Sequence, residues 1–200
     1  MAVIGFDLDM TLIDSRPGIE AVYTEMTRRT GVFIDARLAA NRLGPPLETE
    51  LAEWFPPEQV DEAAELYRAL YPEFAIERIP LLPGAREALE ATTPVVITGK
   101  KEHLARLHLD HFGLSVEHVV GWAWGEGKAE ALRELGAEAY VGDHPGDMKA
   151  ARLAGIPGLG VTTGSHSEEE LLSAGADRVV PDLTWLRTAF LDSLKSPVGP

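Results

Sequence analysis

Asp7 and Asp9 stand two residues apart at the end of a short apolar run, Val3-Ile4-Gly5-Phe6. Residues at i and i+2 point the same way along a strand, so both carboxylates face one reaction centre if the extended geometry persists to Asp9. One can then attack an electrophile while the other handles a proton. Other apolar runs end in Thr98-Gly99-Lys100 and in Gly142-Asp143, with Asp147 four residues later and Lys128 at the start of the helix before that last run. Carboxylates from two strand ends plus a further aspartate make an all-oxygen site suited to Mg²⁺, which takes one or two protein carboxylates and keeps several waters. A lysine and a Thr-Gly turn nearby can hold a phosphate group. Singly, each feature has an ordinary explanation: an aspartate-rich turn, a strand-to-helix turn, a solvated helix lysine, a helix cap. What joins them is their shared position just beyond strand ends, where open parallel sheets bind ligands.

The elements that must do this positioning follow from the hydropathy pattern. From Pro83-Gly84 onward, helical segments alternate with short apolar runs at 95–97, 116–120, 139–141, 159–161 and 179–180. That alternation is the pattern of a parallel α/β sheet. Residues 17–76 read instead as helices without a convincing strand, with Pro17 and Gly18 opening one and Gly31 closing it. Gly44-Pro45-Pro46 and Pro56-Pro57 punctuate the rest of this stretch. The expected fold is α/β: a doubly wound, Rossmann-like parallel sheet formed by residues 1–15 and 81–200, with an all-helical cap inserted at 16–80. The Lys195-Ser196-Pro197 ending reads as a loose tail.

Composition narrows the function. A chain of 200 residues with 45% hydrophobic and 25% charged residues has the make-up of an ordinary globular protein. No segment reaches the ~18 consecutive apolar residues of a membrane span, and no basic segment followed by an apolar stretch opens the chain. A cytoplasmic protein without membrane attachment is expected. The absence of cysteine excludes thiolate nucleophiles and Cys-ligated metals. The formal charge of −14 argues against nonspecific nucleic-acid binding, yet leaves room for a small anionic substrate in a locally positive pocket. Oligomeric state is not legible.

The residues Phe6-Asp7-Leu8-Asp9-Met10-Thr11-Leu12, Val96-Ile97-Thr98-Gly99, Lys128 and Val141-Gly142-Asp143-His144-Pro145-Gly146-Asp147 resemble, in order and spacing, the four motifs of the haloacid dehalogenase superfamily. The likeness is to its phosphoglycolate-phosphatase-like members with a helical cap, and it covers nearly the whole chain. It implies a phosphatase acting on a small phosphorylated metabolite, with Asp7 as nucleophile and Asp9 as acid and then base. It further implies Mg²⁺ bound by the Asp7 and Asp143 side chains and the Asp9 backbone carbonyl, with Asp147 holding a metal-bound water or Lys128. Thr98, Lys128 and the backbone N–H groups of Gly99 and Met10 would cradle the phosphoryl oxygens.

Three departures stand out: Met10 replaces the usual glycine, Ala129 replaces the proline usual after Lys128, and Gly121-Trp122-Ala123-Trp124-Gly125-Glu126-Gly127 is an unusual lead-in. A nucleotide P-loop reading of that run fails, because Trp122 takes the place of its first glycine and Ala129 that of its hydroxyl residue. The tryptophans read as packing or pocket rim. Asp9 separates the chain from dehalogenases, and the lack of lysine from Ser15 to Leu82 closes the Schiff-base phosphonate branch. A phosphosugar mutase and a catalytically weak phosphate-binding or interaction module remain as alternatives. In the cap, Arg42 is the candidate contact to a second anionic group of the substrate. His103, His108 and His111 read as a solvated helix, His144 as rim and His166 as loop.

Overall fold

The computed structural model describes residues 1–186. The Lys195-Ser196-Pro197 reading lies outside the described residues. Strand β1 (Val3–Phe6) is short, apolar and almost wholly buried, as a strand covered by helices on both faces must be. The other apolar runs become β2 (Thr93–Ile97), β3 (His118–Val120), β4 (Ala139–Gly142), β5 (Gly158–Val161) and β6 (Arg178–Val180). They form a parallel six-stranded sheet in the order β3-β2-β1-β4-β5-β6. The run expected at 116–120 pairs only over its last three residues. Chain order reverses at β1, so its carboxyl end, beside those of β2 and β4, is the crevice where such sheets take ligands.

The chain divides into two compact units, one built from Met1–Ile13 with the chain from Leu81 onward, the other from Asp14–Pro80. The second unit is all-helical: α1 (Arg16–Thr30), α2 (Ala36–Ala40), α3 (Leu47–Leu51) and α4 (Val60–Phe74). Pro17 sits in the first turn of α1, where its missing N–H costs no bond, and Gly31 ends the helix at φ 73°. Tyr23 and Tyr67 pack at 5.2 Å between ring centroids, and Tyr67 and Tyr71 at 5.7 Å.

Around the sheet run α5 (Ala85–Glu90), α6 (Glu102–His111), α7 (Glu126–Glu134), α8 (Pro145–Ala154) and α9 (Glu168–Ala174). Val95, Ile97, Leu132, Tyr140, Ala150 and Ala151 share one core between sheet and helices. Two capping boxes set the registers of α8 and α9: His144 with Asp147, and Ser167 with Glu170. That of α8 brings Asp147 to the end of β4.

Candidate active site

One further ladder bond, Asp7 N to Val141 O at 2.9 Å, carries the register of β1 and β4 as far as Asp7. There the chain turns. The Leu8 carbonyl accepts from the N–H groups of Thr11, Leu12 and Ile13 at 3.3, 2.9 and 3.1 Å. Asp9 stands just before the turn, in an isolated bridge with Ile13, and the two carboxylates have different partners. Asp7 Oδ1 accepts from Lys128 Nζ at 3.0 Å, while Asp9 Oδ1 lies 3.1 Å from Lys100 Nζ.

Asp7, Asp143 and Asp147, all buried, each offer a carboxylate oxygen within 4.8 Å of the others. Lys128, near the start of α7, also donates to Asp147 Oδ1 at 2.7 Å. Asp147 Oδ2 accepts from His144 N at 3.1 Å, and Thr11 Oγ1 donates to Asp143 Oδ1 at 3.2 Å. Two of the three buried acids thus share one ammonium, and the third, Asp143, is held by the Thr11 hydroxyl. Burial pushes the Asp7 carboxyl up to about 7 against the opposing pull of Lys128, and Asp147 and Asp9 add to the rise. Burial, then Asp147 and Asp7, hold the Asp143 carboxyl well above the usual range. Burial disfavours the Lys128 charge, but Asp147 and Asp7 outweigh it and keep the ammonium protonated. A dry, all-oxygen donor set with surplus negative charge fits a hard divalent cation.

Thr98 is buried at the end of β2, its hydroxyl accepting from Lys100 N at 3.2 Å. Gly99 lies against Trp124, whose Nε1 would be 2.6 Å from a Cβ there. Met10 keeps a left-handed backbone at φ 59°, the conformation for which glycine is usual. Its N–H, however, donates to Ile13 O at 2.8 Å. This corrects the expectation that Met10 contributes a phosphate donor: closing the turn uses that hydrogen. In the helical unit, Arg42 lies 3.9 Å from Glu50 and 3.8 Å from Glu53, and Arg16 pairs with Asp14 at 2.8 Å.

Sequence reasoning named Lys100 at a strand end without giving it a role, and passed over Thr163 and Gly164. Thr163 Oγ1 donates to Met10 O, tying the β5 end to the first turn. A Cβ on Gly164 would meet Asp143 Oδ2 at 1.9 Å, so any side chain there would force that carboxylate to move. All three follow strand ends, which was the available signal. His108 corrects the solvated-helix reading: with Leu104, Ala105 and Leu109 it forms the buried face of α6. Burial first, then the Lys100 charge, lower its pKa to about 4. His144 caps α8, and its ring meets that of His166 at 4.6 Å. Trp122 is about half exposed, 4.9 Å from Trp124, with Lys101 Nζ 5.2 Å from its ring. Among the described residues no helix is long and apolar enough to cross a membrane.

A family model described as haloacid dehalogenase-like hydrolase matches residues 4–152, and a second, HAD-hydrolase-like, matches 129–186. The chain belongs to the haloacid dehalogenase-like hydrolase family, as a phosphatase-type enzyme. It is 31% identical over 222 residues to a probable phosphatase, IndB, of Dickeya dadantii, covering 97% of this chain and 96% of that one. It is also 30% identical over 233 residues to a phosphoglycolate phosphatase of Caulobacter vibrioides, covering 100% and 94%. A solved haloacid dehalogenase-like family hydrolase of Streptococcus pneumoniae superposes with a TM-score of 0.83 at 25% identity, over 95% of this chain and 98% of that one.

Proposed function

We propose that this chain hydrolyses a small phosphate monoester, phosphoglycolate-like in size, in two displacements through Asp7 with Mg²⁺ bound. The observation that carries this reading is the division of labour between the first two aspartates: Asp7 lies in the buried carboxylate cluster against Lys128, and Asp9 lies outside it against Lys100. In the first displacement an Asp7 carboxylate oxygen attacks phosphorus while the bond to the leaving oxygen breaks. Asp9 gives its proton to that oxygen. In the second, water attacks the aspartyl-phosphate, Asp9 takes the water's proton, and the Asp7 carboxylate leaves with release of inorganic phosphate. Lys128 neutralises Asp7 and Asp147, while Thr98 and the Gly99 N–H receive the phosphoryl oxygens.

The Asp7 and Asp143 side chains and the Asp9 backbone carbonyl would hold Mg²⁺, with Asp147 beside them. When bound, the cation offsets repulsion between the attacking carboxylate and an anionic phosphate. We propose the domain division at 15/16 and 80/81, with the helical cap setting selectivity and Arg42 contacting a second anionic group. The proposed setting is cytoplasmic, with a small phosphorylated metabolite as partner and neither nucleic acid nor membrane.

The test is phosphate release from small sugar, glycolyl and nucleotide monophosphates, with Mg²⁺ or EDTA, for wild type and Asp7→Asn. Release by wild type that needs Mg²⁺ and is lost in Asp7→Asn is expected. Equal release by both proteins refutes the nucleophile. No release despite Mg²⁺ binding favours a phosphate-binding module.

A further inference from the structure

The Lys100–Asp9 pair is set in a rigid frame. The Lys100 N–H donates to Thr98 Oγ1 at 3.2 Å, and the Lys100 carbonyl accepts from Trp122 N at 3.0 Å. One residue farther on, Ala123 N donates to Thr98 O at 3.1 Å. The Gly121–Trp124 turn therefore grips the backbone of residues 98–100 from the side of β3. Its fit is close: a Cβ on Gly121 would meet Glu102 N at 2.2 Å and Lys100 O at 2.7 Å. Trp122 holds a left-handed φ of 60° in this turn, and Trp124 lies over Gly99. So the unusual glycine- and tryptophan-containing run has a structural task, which is to fix where Lys100 begins.

The Lys100 side chain is 9% exposed and that of Asp9 21%. A pair so far removed from solvent is screened less than a surface ion pair and holds a defined geometry. Beneath it, His108 is buried on α6 and adds no competing positive charge at neutral pH. Lys128, the ammonium within the carboxylate cluster, is engaged by Asp7 and Asp147. Without Lys100 the Asp9 carboxyl would lose a charged partner that lies outside the Asp7, Asp143 and Asp147 cluster.

We infer that Lys100 is a positioning residue: it holds the Asp9 carboxyl apart from the three-carboxylate cluster, at the place from which a proton reaches the leaving oxygen. The inference rests on the proposed role of Asp9 as acid. Lys100 itself touches no reacting atom in this role.

Leaving groups differ in their need for that proton. An alkoxide leaves poorly unless protonated as the P–O bond breaks, whereas p-nitrophenolate leaves unaided. The experiment is therefore kcat/KM for an alkyl phosphate that wild type turns over, such as 2-phosphoglycolate, and for p-nitrophenyl phosphate. Wild type, Lys100→Met, Lys100→Gln, Lys100→Arg and Asp9→Asn are compared, with thermal unfolding as a check on folding. On the alkyl ester the Met and Gln variants should lose about 10-fold or more beyond any loss on the aryl ester, part of the 10²–10⁴-fold typical of general acid catalysis. Lys100→Arg, which keeps the charge, should recover much of it. Equal losses on both esters, or none, overturn the inference, and equal losses concentrated in KM assign Lys100 to phosphate binding instead. If Asp9→Asn also shows equal losses, the acid role of Asp9 is what has failed. If Asp9→Asn discriminates between the esters and the Lys100 variants do not, only the positioning role has failed.

Discussion

Three clustered carboxylates, two of them paired with one ammonium, make a site that works against the fold. Asp7 titrates near 7 in the folded chain against 3.8 for the ordinary side chain. A folded-state pKa raised in this way means that the native protein binds the proton more tightly. The resulting contribution to stability is full below about pH 4 and is lost as pH rises through 7. Asp143 shifts in the same direction. In EDTA, Asp143→Asn should therefore unfold at a higher temperature than wild type at pH 8. At pH 4 the two should coincide, and Mg²⁺ at pH 8 should stabilise wild type more than the variant. Thermal unfolding at the two pH values checks this; a variant less stable than wild type in EDTA at pH 8 contradicts it. Met10 poses the opposite balance. Its left-handed backbone costs about 1–2 kcal/mol relative to glycine, but its buried side chain is worth about 2–5 kcal/mol. The second outweighs the first, so Met10→Gly should lower stability in denaturant titration even though it relieves the strain.

At the scale of elements, the strand ends were legible because short apolar runs bounded by glycine and polar residues have few other readings in a parallel sheet. Asp7, Thr98 and Asp143 could be placed from that alone, and Lys128 from the start of the helix before β4. The paths of the chain after each strand could not. Asp9 pairs with Lys100 beside a turn in which three N–H groups close on the Leu8 carbonyl, and Met10 loses its N–H to Ile13 in the same turn. Such turns depend on hydrogen bonds that period-2 reasoning does not describe. His108 was misread although its signal was present: Leu104, Ala105, His108 and Leu109 form one helical stripe. Gly164 was missed because its requirement comes from a carboxylate on another strand end, 21 residues away in sequence. Gly164→Ala should displace the Asp143 carboxylate and weaken Mg²⁺ binding, measured by calorimetric titration. The fold should lose only about 1–3 kcal/mol, as for other cases of overpacking. Unchanged Mg²⁺ affinity would show that the close approach has no bearing on the metal.

In the whole molecule, an acidic chain gathers Asp7, Asp143 and Asp147 into one buried cluster, while an all-helical unit enters the sequence between Ile13 and Leu81. The insertion was legible as a stretch of helices without a strand. What the cap recognises was not, because Arg42 has no partner in sequence that announces Glu50 and Glu53 beside it. A substrate carboxylate would have to compete with these two acids. Arg42→Ala should accordingly raise KM modestly, about 3- to 10-fold, for 2-phosphoglycolate and leave KM unchanged for a monoester lacking the carboxylate, with kcat preserved in both. Equal effects on both substrates would remove Arg42 from substrate recognition. The central claim concerns covalent chemistry at Asp7, and trapping tests it most directly. Asp9→Asn protein, supplied with p-nitrophenyl phosphate and Mg²⁺, should retain a first displacement that needs no acid while losing the base for the second. Acid quenching and peptide mass spectrometry should then find one phosphoryl group on the peptide containing Asp7. A protein that releases p-nitrophenol in a burst without any phosphorylated peptide, or that carries the phosphoryl group elsewhere, would contradict the assignment.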